Sequence, residues 1–98
     1  MPIDDLDALR AEIDALDHQL LALLAARLDV ARTIGKLKIE RGMAVTQPER
    51  EATLLVERER LAETLGMDPA LARALFENLL AWSKTAQRRD QANRGDRS

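Results

Sequence analysis

The chain has 98 residues, enough for one small domain with one modest core and too few for two. Its 15 Lys and Arg are interspersed with 17 Asp and Glu, a net charge of -2 that leaves no basic stripe for nucleic acid and no cationic face for a membrane. With no cysteine and a single histidine, neither disulfides nor a thiolate or histidine-rich metal site can contribute, so the domain must stand on packing.

Hydrophobic residues make up 46% of the chain, yet with one Phe, one Trp and no Tyr they are mostly Leu and Ala, both good helix formers. The composition reads as all-α. The opening "MPIDDLDALR" has acids where a secretory leader has bases, and no run reaches the roughly 18 apolar residues of a membrane span, so we expect a cytoplasmic protein.

The first element announces itself by period. Apolar residues recur at steps of three and four from Leu6 through Leu9, Ile13, Leu16, Leu20 and Leu23 to Val30, Ile34 and Leu37, a heptad seam interrupted only by Arg27. Asp4 or Asp5 can cap its start and Gly42 can end it, while Gly35 is tolerated at about 1 kcal/mol. A helix over about residues 5 to 41 is roughly 54 Å long. A compact globule of this length has a radius of gyration near 13 Å and cannot cover it, so the simplest cover is a second copy of the chain.

After the linker "GMAVT", Thr46 or Gln47 stands at the cap of a second helix with Pro48 in its first turn and Glu49 and Glu51 near its positive end. It runs through Leu54, Leu55, Leu61 and Leu65 to a stop at Gly66. A third helix restarts at Asp68 and Pro69, with Phe76, Leu79, Ser83 and Gln87 on one stripe and Leu71, Leu75 and Trp82 beside it. We expect a helical domain over residues 1–90, one very long helix and two medium ones, followed by a polar, disordered tail over 91–98.

Polar residues at apolar positions are the candidates for function. Burying an unpaired guanidinium at Arg27 is costly, so it either fixes register through a salt bridge to a partner helix or serves an anion site inside the bundle. Lys38, close to three turns on, projects from nearly the same side about 16 Å away, and the two cations can hold opposite ends of a small dianion. Arg10 lies about 25 Å before Arg27. Either it pairs with Asp14 at i,i+4, which spacing alone favours, or an antiparallel second chain brings it opposite Lys38. Arg50 and Glu51 are adjacent and cannot face each other, the usual sign of a solvated face. Ser83 and Gln87, one turn apart, mark either a helix edge where polarity returns or hydrogen-bonding groups within an apolar wall. His18 flanks the seam and receives no role.

Taken together, the order Leu9-Arg10, Ile13, Leu16-Asp17, Leu20-Leu21, Leu24, Arg27, Gly35-Lys36-x-Lys38, Val45, Arg50-Glu51 and Ser83-x-x-x-Gln87 resembles the AroQ-type, all-helical chorismate mutases over roughly residues 6 to 90. The resemblance implies an intertwined homodimer that converts chorismate to prephenate with no cofactor and no metal. It implies that Arg27 and Ser83 bind one substrate carboxylate, and that Lys38 and Arg10 of the other chain bind the second. Lys38 and Gln87 would donate to the ether oxygen, Glu51 would accept from the ring hydroxyl and Arg50 would line the site.

Gln47 departs from the pattern, since bacterial members often carry an acid there, and this bears on the hydroxyl side. Relatives on the same scaffold act as isochorismate pyruvate lyases or on 4-amino-4-deoxychorismate, commonly without a carboxylate at the position of Glu51. A non-catalytic helical dimer, or a regulatory subunit for a shikimate-pathway enzyme, is the alternative from a different class. Because an amide such as Gln87 does not titrate, activity is expected to vary little between about pH 5 and 8.

Overall fold

A computed structural model of the chain describes residues 5–95, the side chains of 94 and 95 excepted. Three helices follow one another: α1 over Asp5–Glu40, α2 over Pro48–Thr64 and α3 over Pro69–Gly95. The all-α expectation holds, and α1 is a single 36-residue helix that passes through Gly35 without a break.

The helix ends are where punctuation residues place them. Gly42 and Gly66 take positive φ of 66° and 74°, a region open to glycine. Met43 N–H then reaches back to Lys38 O at 2.8 Å and Met67 N–H to Ala62 O at 2.8 Å, the six-to-one bond of a Schellman stop. At the start of α3 the Asp68 carboxylate accepts from Ala70 N–H at 2.9 Å. At the start of α2 the cap residue is Gln47, which makes no side-chain cap; its own N–H donates to Glu51 Oε2 at 3.1 Å. The cap expected of Asp4 lies outside the described residues.

α3 is the element on which both α1 and α2 pack. The buried residues among the described ones are few: Ala31 and Gly35 of α1, Leu54, Leu55 and Ala62 of α2, and Ala72, Leu79, Ser83 and Gln87 of α3. The stripe expected on α3 thus faces inward, with Phe76 half-buried, while Leu71 and Trp82 stay exposed. α1 meets α3 through Arg27, Ala31, Gly35 and Lys38, which lie on one side at steps of four and three. The leucine seam lies mostly on another side of that helix and is exposed from Leu6 to Leu37, with only Val30 and Ile34 of it reaching the space between the helices.

Two results depart from expectation. α3 runs on to Gly95, so residues 91–95 of the stretch expected as a disordered tail are helical here; residues 96–98 lie outside the described ones. Arg32 explains part of this, since its guanidinium forks onto Asp90, Nε to Oδ2 at 3.0 Å and Nη2 to Oδ1 at 2.8 Å, pinning the far end of α3 to α1. Arg10 pairs with Asp7 at 4.0 Å rather than with Asp14.

The shape is long and flat, 66 × 32 × 15 Å, with a radius of gyration of 18.0 Å. No described helix is long and apolar enough to cross a membrane.

Candidate active site

Where the C-terminal half of α1, the start of α2 and the middle of α3 converge, they enclose a cavity of about 440 Å³. The cavity is built by register. Arg27, Ala31 and Lys38 face it from α1, Arg50, Leu54 and Arg58 line one side of α2 at successive steps of four, and Leu80, Ser83, Lys84 and Gln87 close it from α3. The connecting segment contributes Val45 and Gln47.

Of the residues singled out in the sequence, Arg27, Lys38, Gln47, Arg50, Glu51, Ser83 and Gln87 all line this one cavity. Arg10 does not; it stands far along α1 with its side chain 70% exposed.

At one end, Arg27 Nη1 donates to Ser83 Oγ at 3.4 Å, and the Ser83 hydroxyl is itself oriented by donating to Leu79 O at 2.9 Å. No described carboxylate pairs with Arg27. Burial, and after it the neighbouring Arg58 cation, hold its guanidinium below the ordinary value. The ring of Phe76 lies under both guanidiniums, 5.7 Å from Arg27 and 5.5 Å from Arg58.

Toward the other end, Lys38 Nζ donates to Val45 O at 2.9 Å and to Gln87 Oε1 at 3.4 Å. Gln87 Nε2 donates to Ala31 O at 2.7 Å, so both atoms of the amide are fixed and one N–H of Nε2 remains to be given. Gly35 makes this possible. A Cβ there would overlap Gln87 Cγ and lie 3.0 Å from its Cβ, so only glycine lets α3 approach so closely. The one glycine of α1 is therefore a packing requirement of Gln87.

Glu51 is not on a solvated face. It accepts from Lys84 Nζ at 2.8 Å through Oε1 and from Gln47 N–H through Oε2. The Lys84 bond is the main cause that holds its carboxyl below the ordinary value, against the opposing effect of burial. Arg88 bonds Thr46 Oγ1 at 3.4 Å behind it, tying the linker to α3.

Two charged cavity residues, Arg58 and Lys84, were not singled out from the sequence. The signal for Arg58 was present, because it continues the series Arg50, Leu54 on the face that buries Leu54. Lys84 gave no such signal, since its pairing with Glu51 depends on how two helices meet. The cavity then carries five cations against one carboxylate, a formal surplus of four positive charges that suits a polyanionic ligand.

A family model described as chorismate mutase type II matches residues 9–88. The chain is 38% identical over 85 residues to the T-protein of Enterobacter agglomerans, which covers 87% of this chain and 23% of that protein. It is 39% identical over 77 residues to the 4-amino-4-deoxychorismate mutase of Streptomyces pristinaespiralis, covering 79% of this chain and 60% of that one. The chain thus spans less than two thirds of either relative. Among solved structures it resembles a conserved hypothetical protein from Pyrococcus furiosus, with a TM-score of 0.66, 35% identity, and coverage of 88% of this chain and 99% of that one.

Proposed function

The chain belongs to the chorismate mutase type II family, and from that premise we propose that it rearranges chorismate to prephenate as a cytoplasmic homodimer. The observation that carries the reading is the placement of Arg27 with Ser83 and of Lys38 with Gln87 at separate positions in one cation-rich cavity. Chorismate is a dianion whose rearrangement breaks the ether carbon–oxygen bond and makes a carbon–carbon bond in the same molecule. No atom enters or leaves, and no nucleophile is needed. The enzyme has to hold the enolpyruvyl arm over the ring and stabilise negative charge growing on the ether oxygen.

Arg27 and Ser83 are suited to one carboxylate. Lys38 and the free N–H of Gln87 are suited to the ether oxygen, and their mutual bond orients both before substrate arrives. Donors fixed in advance do not have to reorganise as charge develops, and removing one costs about 100- to 1000-fold in turnover. Glu51, kept ionised by Lys84, accepts from the ring hydroxyl.

The second copy is supported by surface. The chain exposes 7776 Å², where a compact protein of 11.0 kDa exposes about 5600 Å². The excess of about 2000 Å² is of the size that one subunit buries in a large obligate interface. Such a partner also supplies what the cavity lacks, Arg10 at the Lys38 end.

The likeness to a 4-amino-4-deoxychorismate mutase favours a second reading, an amine-bearing substrate. Glu51 already feels the Lys84 and Lys38 ammonium groups, so a further ammonium would meet positive charge where a hydroxyl meets only an acceptor.

The test is incubation with chorismate, its 4-amino analogue and isochorismate, with product identification. Prephenate from chorismate is expected, with kcat/KM falling about 100- to 1000-fold in Arg27→Ala, as for the loss of one partner of a buried charge pair. Pyruvate released from isochorismate, or turnover of the amine alone, would move the protein to another branch of the family.

A further inference from the structure

Resting on the dicarboxylate reading above, we propose that Arg58 is a second carboxylate-binding residue, forming with Arg27 a two-guanidinium clamp beside Phe76 for one planar carboxylate of the substrate. Arg58 stands one turn beyond Leu54 and two beyond Arg50, on the side of α2 that faces the cavity. Its side chain is 29% exposed, and its carboxylate neighbour is the adjacent Glu57, at 3.6 Å and half in solvent. Among the described residues its guanidinium donates no hydrogen bond, although it carries five N–H groups.

An arginine so placed needs a reason. Two like charges, each over the same ring and partly withdrawn from water, repel each other, as the effect of Arg58 on Arg27 records. An anion between them removes that repulsion and turns it into attraction. A carboxylate fits because its two oxygens can each accept from a different guanidinium fork, with Phe76 lying against both cations. Lys38, about 16 Å from Arg27 along α1, is left for the opposite end of the ligand. The pairing with Glu57 does not by itself account for the guanidinium lying against Phe76 and along the cavity wall.

The experiment compares the unaltered chain with Arg58→Gln and Arg58→Lys, both long side chains of good helix propensity. It measures KM and kcat with chorismate, and calorimetric affinity for a bicyclic dicarboxylate resembling the rearrangement transition state. Loss of a charge-assisted contact predicts KM and dissociation constant about 10- to 100-fold higher in Arg58→Gln with a smaller change in kcat, and an intermediate value in Arg58→Lys, which keeps the charge without the fork. Both variants matching the unaltered chain in KM and affinity would overturn the assignment. Added methylguanidine lowering the KM of Arg58→Gln again supports it, since a purely structural arginine would not respond so. If the unaltered chain fails to turn over chorismate, the mutase reading falls. Arg58 is then judged by the dicarboxylate alone, equal affinity in all three chains overturning the clamp and weaker binding in Arg58→Gln supporting it.

Discussion

Two faces of α1 meet opposite fates. The leucine seam, from Leu6 through Ile13 and Leu20 to Leu37, is at least 41% exposed at every apolar position, whereas the side carrying Ala31 and Gly35 is buried against α3. The more hydrophobic face is the one this chain leaves open. Small residues are buried because α3 comes close, within reach of a backbone carbonyl at Ala31 and of an absent Cβ at Gly35. Hydrophobicity along a helix therefore says that something must cover a face, and the size of the residues says how near the cover comes. Arg27 stands at the border of the two, a seam position by period and a cavity residue by contact.

The comparison breaks most sharply at the seam. With Ile13→Glu and Leu20→Glu together, two carboxylates fall on the face that the proposed second copy would cover, and we expect sedimentation to show dimers for the unaltered chain and monomers for the variant. Activity should fall by at least about 100-fold, because in the homodimer proposed above each site would then lose the cation that Arg10 of the second copy would supply, and with it a charge-assisted contact to the substrate. A chain already monomeric and active without these changes would mean that the exposed leucines cover nothing needed for function.

Gly35→Ala tests the packed face. The added methyl overlaps Gln87, an overpacking that costs about 1–3 kcal/mol, set against about 1 kcal/mol of gained helix propensity. A net loss of about 1 kcal/mol lowers Tm by about 4–8 °C in a domain of this size. The displaced amide also loses its aim, so kcat should fall by about 100-fold while KM moves little. A stabilised variant with unchanged kcat would show that α3 can step back from α1 without consequence.

What the sequence made legible follows the same division. Helix ends were readable because Pro48, Gly42 and Gly66 act through their own backbone and Asp68 through a carboxylate that reaches only the next turn, and the structure uses each of them. Arg27, Ser83 and Gln87 were readable because they stand where an apolar stripe continues, and Lys38 because it lies close to three turns after Arg27. Which side of α1 would meet α3 was not, since alanine and glycine carry no signal in a hydrophobic pattern. The Glu51–Lys84 pair was hidden because it joins residues 33 apart on different helices, and a charge run reads as solvated until its partner is placed.

That pair supplies the smallest expected effect and the one most specific to the cavity. Glu51 is held below its ordinary value of 4.5, chiefly by Lys84, so its contribution to the folded state is fully present above that value and is lost as pH falls through the lower folded one. Turnover should thus be level from about pH 8 to 5 and decline only on the acid side of the usual glutamate range. In Lys84→Gln the largest cause of the lowering is gone, and burial, which raises the value, is opposed only by the Gln47 N–H and by Lys38. The acid limb of the rate profile and of the thermal stability should both move to higher pH, with turnover at neutral pH little changed. Seam substitutions that lower activity through assembly should leave the position of this limb where it is. An unmoved limb in Lys84→Gln would mean that Glu51 is set by the start of α2 alone, and that the cavity and the seam differ less in their electrostatics than their side chains suggest.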